Sequence, residues 1–225
     1  MQRRPISAHL SRVAGPVHPK LRNSLETALK RLVILAVICI SLLIVIPLHA
    51  QQFDVAFGLG TVSSASASSA SGDHTAQSLG GGVYPAFSGD FLLRHNFGVQ
   101  GEVAWRAGQG DYLGVQPYRP ILYDFNAIWV PRIGPRAAGE LLAGIGAESI
   151  RFYTPFFNCN SFSCTNYTSS THFMGDLGGG IRLYPYGHFF VRPEFRVYLI
   201  HNNVEFSSGH AVRYGASIGY TFGGR

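Results

Sequence analysis

The stretch RYGASIGYTF, residues 213–222, decides how this chain is read. Tyr214, Ala216, Ile218, Tyr220 and Phe222 alternate with Arg213, Gly215, Ser217, Gly219 and Thr221. Alternation at period two marks a β-strand with two unlike faces. In a water-soluble sheet the bulky face would turn to a core. In a strand that crosses a bilayer it would turn to hydrocarbon. The rest of the sequence has to choose between the two.

The same pattern recurs seven more times after Gln51, which predicts strands near 53–62, 80–93, 97–107, 120–131, 139–152, 173–185, 189–200 and 212–222. Each has roughly the 9–11 residues a tilted strand needs to cross a membrane. Connections alternate in length: long and Ser/Ala-rich at 61–78, short at 94–96, longer at 108–119, short at 132–138, long at 153–172, tight at 186–188 and moderate at 201–211. Long loops on one side and short turns on the other fit an up-and-down barrel with an even strand number. Pro85 and Pro193 fall inside strands, where a missing donor predicts bulges; Pro131 and Pro185 fall near strand ends.

Charge removes one class of partner. Residues 1–50 hold seven of the 18 Lys and Arg, whereas Gln51 onward has 11 Arg, 11 acidic residues and no Lys. The basic balance therefore belongs to the leader, and the remainder offers no electrostatic case for nucleic acid. Charged residues make up 13% of the chain, about half the ~25% usual in soluble domains.

The leader, 1–50, reads as a basic region followed by a secretory signal. Lys30 and Arg31 precede the apolar run LVILAVICISLLIVIPL at 32–48, and His49-Ala50 follows. Cleavage after Ala50 is expected, which leaves 51–225 as the exported domain; an uncleaved anchor is the alternative. Cys39 lacks the small preceding residue of a lipidation site. Cys159 and Cys164 are spaced C-x4-C, and export makes a disulfide the expected state. Only His172 lies near them in sequence, too little for a metal site.

Composition of the two faces settles which side sees what. One face carries Phe53, Val55, Phe57 and Leu59, then Ile121, Tyr123, Phe125 and Trp129, then Phe189, Val191, Phe195, Val197 and Leu199. The opposite face is Gly, Ala and Ser punctuated by both signs of charge. A solvated sheet surface would carry Lys, Thr and long polar side chains instead. Small residues and paired charges suit the narrow interior of an eight-stranded barrel, where an unpaired charge is costly. The expected lumen network comprises Asp54, Asp90, Glu102, Asp124, Glu140, Glu148, Asp176 and Glu194 with Arg94, Arg106, Arg182, Arg192, Arg196 and Arg213. Near balance of sign points to a filled core rather than a selective pore.

Aromatics fall toward both ends of the strands: Phe53, Phe91, Phe97, Trp129, Phe189, Tyr220 and Phe222 at one, Trp105, Tyr123 and Tyr214 at the other. Two girdles mark the interfaces of a membrane barrel. Here residues 53–222 resemble the small outer-membrane β-barrels of the OmpA/OmpX and OmpW type. The resemblance rests on architecture and on the final strand, where Gly215, Tyr220 and Phe222 match the signal read by the barrel-assembly machinery; Gly223-Gly224-Arg225 after the aromatic depart from it. It implies a bacterial outer-membrane location, with outer-membrane lipid and lipopolysaccharide around the barrel and the assembly machinery as a partner in biogenesis.

Little of the remaining chemistry stands out. The runs Gly80-Gly81-Gly82 and Gly178-Gly179-Gly180 open no helix and precede no P-loop lysine, so they read as strand glycines. Some eight-stranded outer-membrane barrels modify lipid A with a serine, a histidine and often an acid. His201, Glu205, Ser207, Ser208 and His210 offer those residue types, without the His-x-Ser spacing of the deacylases. The loop TPFFNCNSFSCTNYTSS, 154–170, is more distinctive. Phe156, Phe157, Phe162 and Tyr167 are its recognition candidates, on a disulfide-braced knob or on a lid over the barrel mouth. The reading is an all-β, eight-stranded antiparallel up-and-down transmembrane barrel without cofactor or enzyme activity. Its expected role is structural or surface-interacting, with small-solute passage as the alternative and lipid A hydrolysis the weaker rival.

Overall fold

A computed structural model describes residues 52–65, 75–93, 96–159 and 164–223. The leader with its expected cleavage after Ala50, Arg94 and Phe162 lie outside them. The described chain forms β1 (Gln52–Ser64), β2 (Tyr84–Leu92), β3 (Phe97–Trp105), β4 (Gly110–Tyr112), β5 (Gln116–Trp129), β6 (Arg132–Gly134), β7 (Ala137–Cys159), β8 (Cys164–Tyr186), β9 (Phe189–Ile200) and β10 (His210–Gly223). All pairings are antiparallel. Eight strands close a ring in the order β1-β2-β3-β5-β7-β8-β9-β10, with β10 returning to β1 and β5 pairing β7. Short β4 and β6 pair with β5 and β7 outside that ring.

Closure is built from neighbours in sequence, apart from the β1–β10 seam. There the register runs without a break from Gln52↔Gly223 to Ser64↔Ala211. At the β8–β9 turn Gly187 takes φ 52°, a left-handed conformation that favours glycine. Pro85 and Pro193 produce no bulge, contrary to the expectation. Pro85 pairs with Leu59 on β1 while the β2–β3 ladder starts one residue later, at Ala86. Pro193 pairs with Ala216 on β10, and the β8–β9 ladder skips its rung between Gly180↔Glu194 and Leu183↔Val191. Each proline thus turns its donorless edge where no ladder bond is made.

The alternation resolves as an inside-out protein. Phe125 and Ile218 are 60% and 65% exposed, whereas Asp124, Arg196 and Ser217 are buried. On β7 the outward apolar run ends at Ala147, with Ser149 and Arg151 beyond it; on β8 it ends at Phe173, followed by Thr171. Aromatic rings gather at the inner rim, where Phe97 stacks on Trp129 at 6.0 Å and Tyr220 meets Phe222 at 4.8 Å and Phe189 at 4.9 Å.

Inside, the barrel is layered. Ala56, Leu92, Ile128, Val130, Leu142, Tyr184 and Phe190 form an apolar layer at the inner end. Val62, Leu79, Tyr84, Tyr118, Leu122, Ile150, Met174, Tyr198 and Phe206 form another at the outer end. Charged side chains fill the space between. The largest departure from the sequence reading is at 153–172, expected as a loop. There β7 and β8 continue as a two-stranded ribbon, past their last rungs with β5 at Tyr118↔Phe152 and with β9 at Met174↔Ile200.

Candidate functional site

Four guanidiniums organise the lumen. Arg182, on β8, contacts Asp54 and Glu140 and reaches Asp90 at 2.6 Å. Arg192 lies 3.1 Å from Glu140, 3.3 Å from Asp90 and 2.7 Å from Glu194, and donates to Ser88 and Ser217 at 3.1 Å. Further out along β9, Arg196 holds Glu102 at 2.7 Å, Asp176 at 2.8 Å and Asp124 at 3.2 Å, and donates to Gln100 at 2.6 Å. Arg213 bridges Glu102 and Glu194. Arginine suits this work because its planar fork presents five donors that one side chain can share among several carboxylates.

Among the described residues, four guanidiniums serve seven carboxylates: Asp54, Asp90, Glu102, Asp124, Glu140, Asp176 and Glu194. Arg106, expected in this network, stands apart at the outer mouth. It donates to the Tyr118 hydroxyl at 3.0 Å and covers that ring at 5.5 Å. Glu148, also expected in the network, makes no salt bridge among the described residues; both its carboxylate oxygens are buried without a hydrogen-bond partner. Alternation correctly assigns both side chains to the inside but says nothing of their height along the axis.

Two connections cover the outer mouth. Segments 75–83 and 201–209 interlock: Ser207 N donates to Gln77 O at 2.7 Å, Thr75 N to Val204 O at 3.1 Å, and Ser207 Oγ to Thr75 O at 3.0 Å. Phe206 is fully buried beneath them, with Tyr118 at 5.5 Å and Tyr112 at 5.9 Å. Of the serines and histidines considered for catalysis, Ser207, Ser208 and His210 take part in this cover, and the His201 side chain is exposed. Ser208 Oγ lies 3.4 Å from His210 Nδ1, and Ser207 bonds backbone carbonyls. A Ser–His–Glu contact that sequence spacing does not reveal joins Ser170, His172 and Glu205. Ser170 Oγ and Glu205 Oε2 lie 3.0 and 2.9 Å from the same His172 nitrogen, Nε2. A relay needs nucleophile and acid on opposite ring nitrogens, so this arrangement does not activate the serine.

The ribbon presents the other feature. Register slips between Tyr153↔Tyr167 and Asn158↔Thr165, so four residues, 154–157, oppose the single residue Asn166. Thr154 Oγ1 pins the bulge by donating to Phe156 O at 2.9 Å and Asn166 O at 3.3 Å. Phe156 and Phe157 are thereby extruded, 80% and 71% exposed. Cys159 and Cys164 are joined by a disulfide at the next rung, with Cα atoms 4.0 Å apart. Arg151 stacks over Tyr167 at 4.8 Å, and the Tyr153 ring lies 6.0 Å from it. Tyr167 is therefore a support for the ribbon, whereas the two phenylalanines face outward.

Of the assembly-signal residues, Tyr220 and Phe222 sit in the inner aromatic rim, and Gly215 faces Gly60 across the seam. Among the described residues no cluster of three or more His, Cys, Asp or Glu side chains could hold a metal ion.

No protein-family profile matches the sequence, and no curated relative does. Solved structures match the fold. Ail, the attachment invasion locus protein of Yersinia pestis, solved with the heparin analogue sucrose octasulfate, is 14% identical with a TM-score of 0.50 over 78% of this chain and 100% of that one. Neisserial surface protein A gives 10% and 0.51 over 76% and 97%. A major outer membrane protein of Thermus thermophilus gives 12% and 0.52 over 77% and 100%. With its ring of eight antiparallel strands, the chain has the fold of the small outer-membrane β-barrel proteins.

Proposed function

We propose that the protein is an integral barrel of the bacterial outer membrane, without enzyme activity, that acts at the cell surface through the β7–β8 ribbon. The observation that carries this reading is the extruded pair Phe156 and Phe157. Two adjacent large apolar side chains held outward by a pinned bulge and a disulfide suit a docking element, since exposed anchors of this kind carry most of the energy at interfaces. The outward apolar band would sit in outer-membrane lipid and lipopolysaccharide, and the final strand would be read by the barrel-assembly machinery.

A band that shifts mobility on boiling, in the membrane fraction, tests the barrel. The surface role is tested by adherence of cells carrying the protein to protein-coated surfaces. A Phe156→Ser/Phe157→Ser variant should lose adherence severalfold while the folded, heat-modifiable band stays at wild-type level; equal adherence would rule the role out. One observation favours small-solute passage as a second reading: the lumen's excess of carboxylates over guanidiniums invites water and cations. The layered interior weighs against it. Planar-bilayer conductance of the purified protein separates the two.

A further inference from the structure

Glu148 is the odd group in this interior. It is fully buried, yet among the described residues neither carboxylate oxygen has a hydrogen-bond partner. It lies on β7 beyond Ala147, where the outward apolar run has ended, and so at the outer rim rather than within the membrane-spanning stretch. Its ladder partners are Leu122 and His172. The charged and titratable groups around it come from every side of the mouth. Glu205 faces it from the 201–209 cover, with its own carboxylate 2.9 Å from His172 Nε2. Tyr84 on β2 and Tyr118 on β5 face it, with Arg106 next to both tyrosines. Tyr198 on β9 points instead to Arg196 and Arg213 below. Among the described residues no guanidinium neutralises Glu148, and the strongest charge it meets is of its own sign.

We propose that Glu148 and Glu205 form a proton-operated latch, which holds segment 201–209 over the barrel mouth while Glu148 is protonated and releases it when Glu148 ionises. A buried carboxyl without a counter-charge is tolerated as the neutral acid, and ionised it demands water. Burial, with the Glu205 carboxylate second, pushes the Glu148 carboxyl up to about 8. The neutral form is therefore the one present below that pH. As pH rises through this range the proton passes to solvent, and the new carboxylate both repels Glu205 and draws water into the apolar layer around Phe206. Segment 201–209 carries Phe206 and Glu205 together, so one ionisation works on the anchor and on the facing charge at once.

The experiment is chymotryptic cleavage after Phe206 in the folded, full-length protein between pH 6.5 and 9. Rates are divided by those of the free peptide HNNVEFSSGH, which removes the protease's own pH dependence. The ratio is expected to rise about tenfold or more, following the ionised fraction of a group that titrates near pH 8. Glu148→Gln, checked for folding by its heat-modifiable band, should stay resistant and flat. Glu205→Gln, which removes the facing charge, should shrink the rise. A flat wild-type profile overturns the latch, and so does an undiminished rise in Glu148→Gln. Should that variant fail to fold, an undiminished rise in Glu205→Gln overturns it instead.

Discussion

The Arg196 guanidinium reaches across the lumen to Glu102, 2.7 Å away on β3, a strand diametrically opposite its own in the ring. Arg182 spans the same width to Asp90 at 2.6 Å. These contacts fasten opposite walls between the two apolar layers. Removing Arg196 strands Asp124 and Asp176 in a buried layer and leaves Glu102 to Arg213 alone, whereas removing one carboxylate relieves an excess of acids. Arg196→Met should therefore cost about 3–5 kcal/mol, as breaking a buried charge network does. Glu194→Gln should cost far less. Urea unfolding in lipid vesicles reads both, and equal small effects would mean that the lumen is hydrated.

The outward face makes the opposite demand. Phe125 and Ile218 project from the middle of β5 and β10. Replacing either by Arg should cost about 2–4 kcal/mol if the position lies at the bilayer midplane. The same change at Val115, 84% exposed in the connection between β4 and β5, should be close to neutral. Midplane and loop variants with equal unfolding midpoints in vesicles would argue that the apolar band does not meet hydrocarbon.

Much of this was legible because a strand has only two sides. Period-two alternation places Asp124 and Arg196 inside and Phe125 outside from the residues alone, and the structure agrees. What alternation leaves out is position along and around the axis. Arg106 and Glu148 share the inward face with the network, yet they sit above it, among Tyr118 and Ile150. Their separation depends on strand stagger, which no single strand encodes. The Ser/Thr-rich stretch after Cys164 reads as loop because it lacks the apolar half of the pattern. Outside the membrane a ribbon needs no such half, and Thr and Tyr pair well across strands. Glu205 meeting His172 joins the 201–209 connection to β8, a pairing that no strand pattern encodes.

Gly219 offers a test of packing in the inner apolar layer. It faces inward on β10, and a Cβ there would overlap the Phe190 ring, which is fully buried. Phe190 lies flat against this bare backbone, with Tyr184 at 5.7 Å and the Arg182 guanidinium over its face at 5.2 Å. Gly219→Ala should cost about 1–3 kcal/mol, the usual range for overpacking. Phe190→Leu combined with Gly219→Ala should recover part of the loss, since the smaller side chain vacates the space. Additive losses in the double variant would show that the ring and the glycine do not share this contact.

The disulfide belongs to the ribbon and not to the barrel. Cys159 and Cys164 close a loop of sequence separation 5 beyond the last rungs that β7 and β8 make with their other neighbours. Chain entropy for so short a loop amounts to about 2 kcal/mol, and it acts only on the segment it constrains. Cys159→Ser/Cys164→Ser should therefore leave the heat-modifiable band and the urea midpoint unchanged. Its effect should fall on the bulge: with the closing rung loosened, cleavage after Phe156 and Phe157 by chymotrypsin should quicken several-fold, and adherence through those side chains should weaken in step. A variant whose whole barrel melts earlier would mean that the ribbon and the ring unfold as one cooperative unit, and that the tip stabilises the walls beneath it.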